Sequence, residues 1–277
     1  MVKVDTPARF STLVNEFKKT HQTVQSNCFF LPSEVTEMTN KQKLCVEQQK
    51  DGLIFFVEED ACSRLYYFLD EKAKPVMPAW NKPVLLDYVF RGEENTALEA
   101  AGCAKWQTIG FTPYKRYNRM ECTRESFSPP AHYREKQSDF QITDLEPKDF
   151  KEVSKLWKSS LDVYSTFLPD ESEYTEACEK GEIIGVRLED GTPGAVNRAI
   201  KKGRLSFLQH LAVSPKLRGR GMGKALFSAT VDFVLDRHQA ERVNFWVDEE
   251  NTRAVEMYKK AGFANDGMIS RQYILEV

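Results

Sequence analysis

Hydrophobic and polar positions in the second half of the chain change period several times, and each change marks an element. Phe140 to Thr143 predicts a short strand, after which Pro147 opens a helix with Phe150, Val153 and Trp157 at i, i+3 and i+7. Ile183 to Leu188 runs into the turn residues Glu189-Asp190-Gly191, and Lys201-Lys202-Gly203 marks a second turn, so an antiparallel meander is expected there. Then follow a strand at Leu205 to Val213, a glycine-rich turn, a helix from about Lys224 to Asp236, a strand at Val243 to Val247 and a helix from about Asn251 to Ala261. That βαβα order requires a parallel pairing within the sheet.

The first half carries fewer signals. Gly52 to Glu58 and Arg64 to Leu69 predict a hairpin around Glu59-Asp60-Ala61, Pro83 to Phe90 a later strand, and Asn95 to Trp106 a helix. Between the halves, Arg124 to Ser138 contains Pro129-Pro130 among polar residues, which suits neither a helix nor a central strand. The sequence therefore divides into residues 1–125, a linker at 126–138 and residues 139–277, with an α/β class and a mixed sheet.

Charge narrows the function. Thirty-nine Lys and Arg against 41 Asp and Glu leave a net charge of −2, without the basic excess of a nucleic-acid binder. No apolar run approaches the ~20 residues needed to cross a bilayer. The start, with Asp5 and Pro7, lacks a secretory apolar region, so export is not expected. The six cysteines lie at least 17 positions apart, which excludes the C-x-x-C spacing of metal and redox sites and reads as reduced thiols in a cytoplasmic protein.

An internal repeat links the halves. Glu93-Glu94-Asn95-Thr96 recurs as Glu249-Glu250-Asn251-Thr252, each copy after a hydrophobic strand and before a helix that ends in Gly-Phe, at Gly110-Phe111 and Gly262-Phe263. Aligning the Gly-Phe pairs puts Trp106 where Tyr258 stands.

The richest stretch is Leu211-Ala212-Val213-Ser214-Pro215, continuing through Arg218-Gly219-Arg220-Gly221-Met222-Gly223-Lys224. Glycines at 219, 221 and 223, between a strand and a helix, let successive backbone N–H groups curl inward, and the helix N-terminus adds roughly half a positive charge. Such a turn suits a pyrophosphate. It lacks the G-K-[ST] of a Walker loop and the placement of a dinucleotide fingerprint. Asn251, Ala254, Val255 and Tyr258 share one helix face, with Asn251 and Tyr258 about 10 Å apart.

Arg218 to Gly223 resembles R-x-x-G-x-G of the GNAT N-acetyltransferase superfamily, and Asn251 to Phe263 resembles its second hallmark, N-x-x-A-x-x-x-Y-x-x-x-G-F. The resemblance covers about residues 140 to 277. It implies a GNAT acyltransferase fold there and acetyl-CoA as cosubstrate, held by Leu211, Ala212 and Val213 on the pantetheine strand, by Arg218, Gly219, Arg220, Gly221, Met222, Gly223 and Lys224 at the pyrophosphate, and by Asn251. It further implies that Tyr258 protonates the departing thiolate, which a phenol of ordinary pKa ≈ 10 can do at neutral pH. Many members carry a carboxylate on the pantetheine strand. Here Phe207-Leu208-Gln209-His210-Leu211 offers only His210 as a titratable base, with an ordinary pKa near 6.5.

Plainer roles stand beside these: a basic loop for residues 218–223, core packing for Tyr258, a satisfied strand histidine for His210 and a helix cap for Asn251, while Tyr164, Phe167 and Tyr174, in the connection where the resemblance implies an acceptor pocket, suit packing or substrate contact equally. If the repeat holds, residues 1–125 form a degenerate GNAT-like lobe without turn or phenol, leaving one cofactor site per chain. The alternative is an unrelated α+β lobe. The expected activity is acetyl transfer to a primary amine by direct attack on the thioester, since no cysteine lies in either motif to act as a nucleophile. A non-catalytic acyl-CoA-binding or interaction module, and an N-acyltransferase using a longer chain, are the alternatives.

Overall fold

The computed structural model describes residues 1–92, 96–135, 137 and 140–276. Glu93 to Asn95 of the first acidic repeat lie outside the described residues, as do Lys136 and Ser138 of the expected linker and Asp139 at the expected start of the second domain. Among the described residues no helix is long and apolar enough to cross a membrane.

The chain folds as two compact units. The first comprises residues 1–116 and 268–277, the second residues 117–267. In order, the elements of the first are β1 (Val2–Lys3), α1 (Pro7–Thr20), β2 (Val24–Ser26), α2 (Pro32–Asn40), β3 (Leu44–Gln49), β4 (Gly52–Glu58), β5 (Ser63–Asp70), β6 (Val84–Arg91) and α3 (Thr96–Gln107). Strand β7 (Thr112–Thr123) starts in the first unit and ends in the second. The second continues with α4 (Ala131–Glu135), β8 (Ile142–Asp144), a 3₁₀ turn at Pro147–Asp149, α5 (Phe150–Ser160), α6 (Glu171–Glu179), β9 (Ile183–Arg187), β10 (Pro193–Lys202) and β11 (Leu205–Val213). A 3₁₀ turn at Pro215–Leu217, α7 (Met222–Asp236), β12 (Arg242–Asp248), α8 (Thr252–Lys260) and β13 (Ala264–Leu275) follow.

This division differs from the one drawn at Pro129-Pro130. Those prolines lie inside the second unit, where the Ser128 N–H bonds the Ala261 carbonyl and α4 packs Tyr133 into the core. The actual crossings fall within strands, because β13 supplies residues 268–275 as the antiparallel partner of β6 in the first unit, with Ser270 opposite Val89 and Gln272 opposite Asp87. Residues 117–123 of β7 pair with β12 in the second, with Met120 opposite Phe245.

The first unit orders its strands β1-β3-β4-β5-β6-β13, and the second β7-β12-β11-β10-β9-β8. Among the described residues each contains one parallel contact, of three residue pairs. In the first, β5 meets β6 at Ser63–Val84, Arg64–Leu85 and Leu65–Leu86. In the second, β11 meets β12 at Leu205–Arg242, Ser206–Val243 and Phe207–Asn244. Both parallel pairs follow an antiparallel one, β4 with β5 and β10 with β11, and both precede a helix with the same ending. The Phe111 N–H bonds the Trp106 carbonyl at 3.1 Å, and the Phe263 N–H bonds the Tyr258 carbonyl at 3.1 Å. The units thus share a topology, and Trp106 takes the place of Tyr258.

Helices α5 and α6 cover one face of the second sheet through Val153, Trp157 and Tyr174, packed on Val196 and Ala212. Helix α7 covers the other through Phe227 and Val231, packed on Ala199, Leu208 and Val243.

Candidate functional site

Past Phe207 and Asn244 the two parallel strands diverge. The ladder stops while β11 continues to Val213 and β12 to Asp248, leaving a wedge between their facing edges. Which edge each residue presents follows from the other side of β11. The Ser214 N–H bonds the Gly194 carbonyl at 2.8 Å, and Ala212 stands opposite Val196. Backbone groups alternate between neighbours in an antiparallel ladder, so Ala212 faces β10 and both Leu211 and Val213 turn their N–H and C=O towards the wedge.

The ladder between β10 and β11 slips at this level. Val196 is opposite Ala212 but Arg198 is opposite Gln209, so β11 carries one extra residue. His210 absorbs it with φ +59, in the left-handed region. Its carbonyl accepts the Trp157 indole N–H at 2.8 Å, and the two rings meet edge-on at 5.2 Å. The imidazole donates to the Phe167 backbone carbonyl, while Nδ1 is buried without a partner. That arrangement assigns a neutral ring. Burial and the nearby Arg198 cation push its pKa down to about 3, well below the 6.5 expected from the sequence. Arg198 is paired with the buried Glu182 at 3.2 Å.

Phe167 belongs to the segment 161–169 between α5 and α6. Its first turn is fixed by Asp162, whose carboxylate accepts the N–H groups of Tyr164 and Ser165 at 3.0 and 2.9 Å. The Ser165 hydroxyl lies 2.8 Å from the Tyr117 hydroxyl on β7, and Val163 and Phe167 stay exposed.

At the far end of β11 the chain makes the glycine turn. Gly219 and Gly221 have φ +78 and +86, so L side chains there would be strained, and Gly221 is the N-cap of α7. The Lys224 and Ala225 N–H groups bond the Gly221 carbonyl at 3.1 Å each. The N–H groups of Met222 and Gly223 precede the first such bond and belong to the unsatisfied start of the helix. Met222 is 1% exposed, so only its backbone is free to meet a ligand. Arg218 folds back, its Nε donating to the Val213 carbonyl at 3.2 Å. Arg220 lies over the Phe140 ring and Lys224 over the Tyr133 ring, at 6.0 and 5.2 Å. Lys216, Arg218, Arg220 and Lys224 thus lie within six residues of the α7 N-cap in the sequence, a positively charged stretch at a helix start.

Helix α8 starts at Asn251, whose Oδ1 accepts the Ala254 N–H at 3.2 Å. The capping role therefore holds. Tyr258 sits seven residues on, 9% exposed, with its ring 4.7 Å from Phe227 on α7 and 4.4 Å from Phe245 on β12. Phe245 is the first β12 residue past the divergence, which puts Tyr258 beside the wedge. Burial alone raises the Tyr258 pKa, so the phenol is protonated at neutral pH. Gly262 ends the helix at φ +92, where a Cβ would strike the Ser126 carbonyl oxygen at 1.9 Å.

The first unit treats its counterpart wedge differently. Strand β2 lies against β5, with Ser26 opposite Phe68, and next to it the Asn27 side chain enters the gap between β5 and β6. Its Nδ2 donates to the carbonyls of Leu65 and Asp87, both at 3.0 Å, and its Oδ1 accepts the Tyr67 N–H at 2.8 Å. The strands between which a ligand would add are thus bridged by the chain itself. No glycine turn or helix joins β5 to β6. Sequence reasoning missed both Asn27 and Trp157. Asn27 is a single polar residue in an unread segment, and Trp157 is spaced as an ordinary core position, its indole contact lying 53 residues away.

Residues 131–263 match the profile of the Acetyltransferase (GNAT) family. Over 61 residues the chain is 43% identical to the mycothiol acetyltransferase of Salinispora arenicola, a stretch covering 22% of this chain and 20% of that protein. The chain therefore matches about a fifth of that relative's length. In fold it is similar to a GCN5-related N-acetyltransferase from Sphaerobacter thermophilus, with TM-score 0.56 and 14% identity over 100% of this chain and 95% of the other. It is also similar to a tandem GNAT protein from the clavulanic acid biosynthesis pathway, with TM-score 0.52 and 12% identity over 84% and 83%.

Proposed function

With residues 131–263 a GNAT acetyltransferase domain, we propose that the protein transfers an acetyl group from acetyl-CoA to a primary amine, at one site per chain. The observation that carries this reading is the wedge between β11 and β12, opening beside the free N–H groups and cations at the start of α7. A pantetheine arm fits the wedge as an added strand, using the Leu211 and Val213 backbone. The pyrophosphate fits the turn at Gly219, Gly221 and Gly223, with Arg220 and Lys224 beside it. Asn251 caps α8, and its proposed part is a hydrogen bond to the pantetheine or to a bound water.

In the reaction the amine nitrogen attacks the thioester carbonyl and the C–S bond breaks. Tyr258 gives its proton to the leaving sulfur and regains one from the nitrogen by way of solvent, so amine and thioester yield amide and free thiol. His210 is a weak base, and its proposed part is to hold the segment at Phe167 beside the site through its ring N–H. Six free cysteines, five of them buried, favour a reducing, cytoplasmic setting. In the first unit the Asn27 bridge and the missing turn support a single site.

Calorimetric titration with acetyl-CoA tests the reading, followed by release of free CoA against a panel of amines. Binding near one site per chain, abolished by Gly221→Glu, is expected. Absence of binding by the unaltered protein would refute it. Binding without turnover on any amine would favour the acyl-CoA-binding module, and stronger binding of longer acyl-CoAs would change the donor.

A further inference from the structure

We propose that Trp157 is a positioning residue for acyl transfer, holding the Leu211 N–H towards the thioester oxygen by fixing the His210 carbonyl; this rests on the function proposed above. The peptide joining His210 to Leu211 is a rigid trans plane, with its C=O and N–H on opposite sides. Trp157 Nε1 holds that carbonyl at 2.8 Å on the α5 side. The Leu211 N–H must then point the other way, and the ladder register turns the Leu211 backbone towards the wedge. A tetrahedral intermediate formed there carries an oxyanion, to which this N–H donates a hydrogen bond without transferring its proton.

The sequence alone does not hold the peptide in this orientation. His210 occupies the extra position of the bulge at φ +59, a sparsely populated conformation for a residue with a side chain. Surrounding structure has to fix it. Trp157 is 0% exposed and wedged edge-on between Tyr174 and His210, with ring centroids 5.9 and 5.2 Å away, so its donor has little freedom. Packing alone would be served by any large ring. The indole N–H is the one group of Trp157 that acts on the bulge by direction, and it does not touch the substrate.

Trp157→Phe keeps a ring between Tyr174 and His210 and removes the donor. In the full chain, kcat should fall by about tenfold to hundredfold, since the oxyanion donor is displaced rather than deleted. The diagnostic readout is binding of acetyl-CoA compared with S-ethyl-CoA, a thioether without the carbonyl. The unaltered protein should prefer acetyl-CoA, and the variant should lose that preference while binding the thioether as before. If Trp157→Phe does not fold, Trp157→benzothienylalanine replaces the N–H by sulfur at nearly constant shape and should give the same result. An unchanged preference with unchanged kcat overturns the proposal, as does an equal loss of affinity for both ligands, which would mark a purely structural role. If the unaltered protein binds neither ligand, the acetyltransferase reading itself fails and the positioning role falls with it.

Discussion

The ring of Tyr258 lies 4.4 Å from that of Phe245, tilted by 60°, at the point where β12 leaves its parallel partner. These ring contacts, with those to Phe227, hold Tyr258 in the core of the second unit. Tyr258→Phe retains the aromatic contacts with Phe227 and Phe245, so the melting temperature should stay within a few degrees. Turnover should drop at least tenfold with acetyl-CoA affinity preserved. Steady-state kinetics paired with calorimetry would show this, and a variant as fast as the parent would remove Tyr258 from the mechanism.

Two glycines of the turn should respond in opposite ways. Gly221→Glu places a carboxylate at φ +86 beside the proposed pyrophosphate turn and should weaken acetyl-CoA binding more than a hundredfold. At Gly223 a Cβ would meet only Val213 Cγ2, at 3.6 Å, and the residue is helical. Gly223→Ala should leave the melting temperature equal or raise it, through the helix propensity difference of about 1 kcal/mol. A large fall in melting temperature for Gly223→Ala would contradict the described turn.

His210 gives a signed pH dependence. Its folded pKa, near 3, is below the unfolded 6.5, so between these values the unfolded chain binds the extra proton. Stability from this group is complete above pH 6.5 and falls as pH drops towards 3, by at most about 1.4 kcal/mol per pH unit. His210→Asn tolerates the left-handed backbone and should flatten the slope in denaturant titrations across that window. The same burial predicts that the pH–rate profile carries no inflection near 6.5 from this residue, and one that disappears in His210→Asn would refute the neutral assignment.

Asn27→Ala should destabilise the first unit by roughly 2–4 kcal/mol, because the Leu65 and Asp87 carbonyls and the Tyr67 N–H lose a shared partner. Acetyl-CoA should still bind at one site per chain in the folded variant. A second binding event in that variant would show that the first wedge accepts the cofactor once opened.

How much of this is readable from residues alone depends on distance along the chain. The strand at Leu205 to Val213, the turn and the capped helix after Asn251 are local, each specified by its own spacing, and the structure places them within a few residues of the expected bounds. The alignment of Trp106 with Tyr258 was also readable, because a Gly-Phe pair marks the same helix ending twice. Helix α1 was overlooked although Phe10, Val14 and Phe17 share a face, and Thr6 caps it by accepting the Arg9 N–H. Strand β13 escaped for a physical reason. Ser270 and Gln272 are polar on a strand, and what makes them fit is Asp87, whose carboxylate accepts from both. Its raised pKa reflects burial that only the assembled sheet creates. The widening between β11 and β12 has no local signature either, since pairing simply stops.

The route of β13 bears on how this protein can be made. Residues 268–275 pair with β6 in the first unit but follow the whole of the second in the chain. During synthesis the earlier unit must wait, with β6 lacking its neighbour, until β13 leaves the ribosome. Expressing residues 1–125 alone would leave β6 without that partner, whereas a fusion carrying the 268–275 segment after Arg116 would restore it in cis.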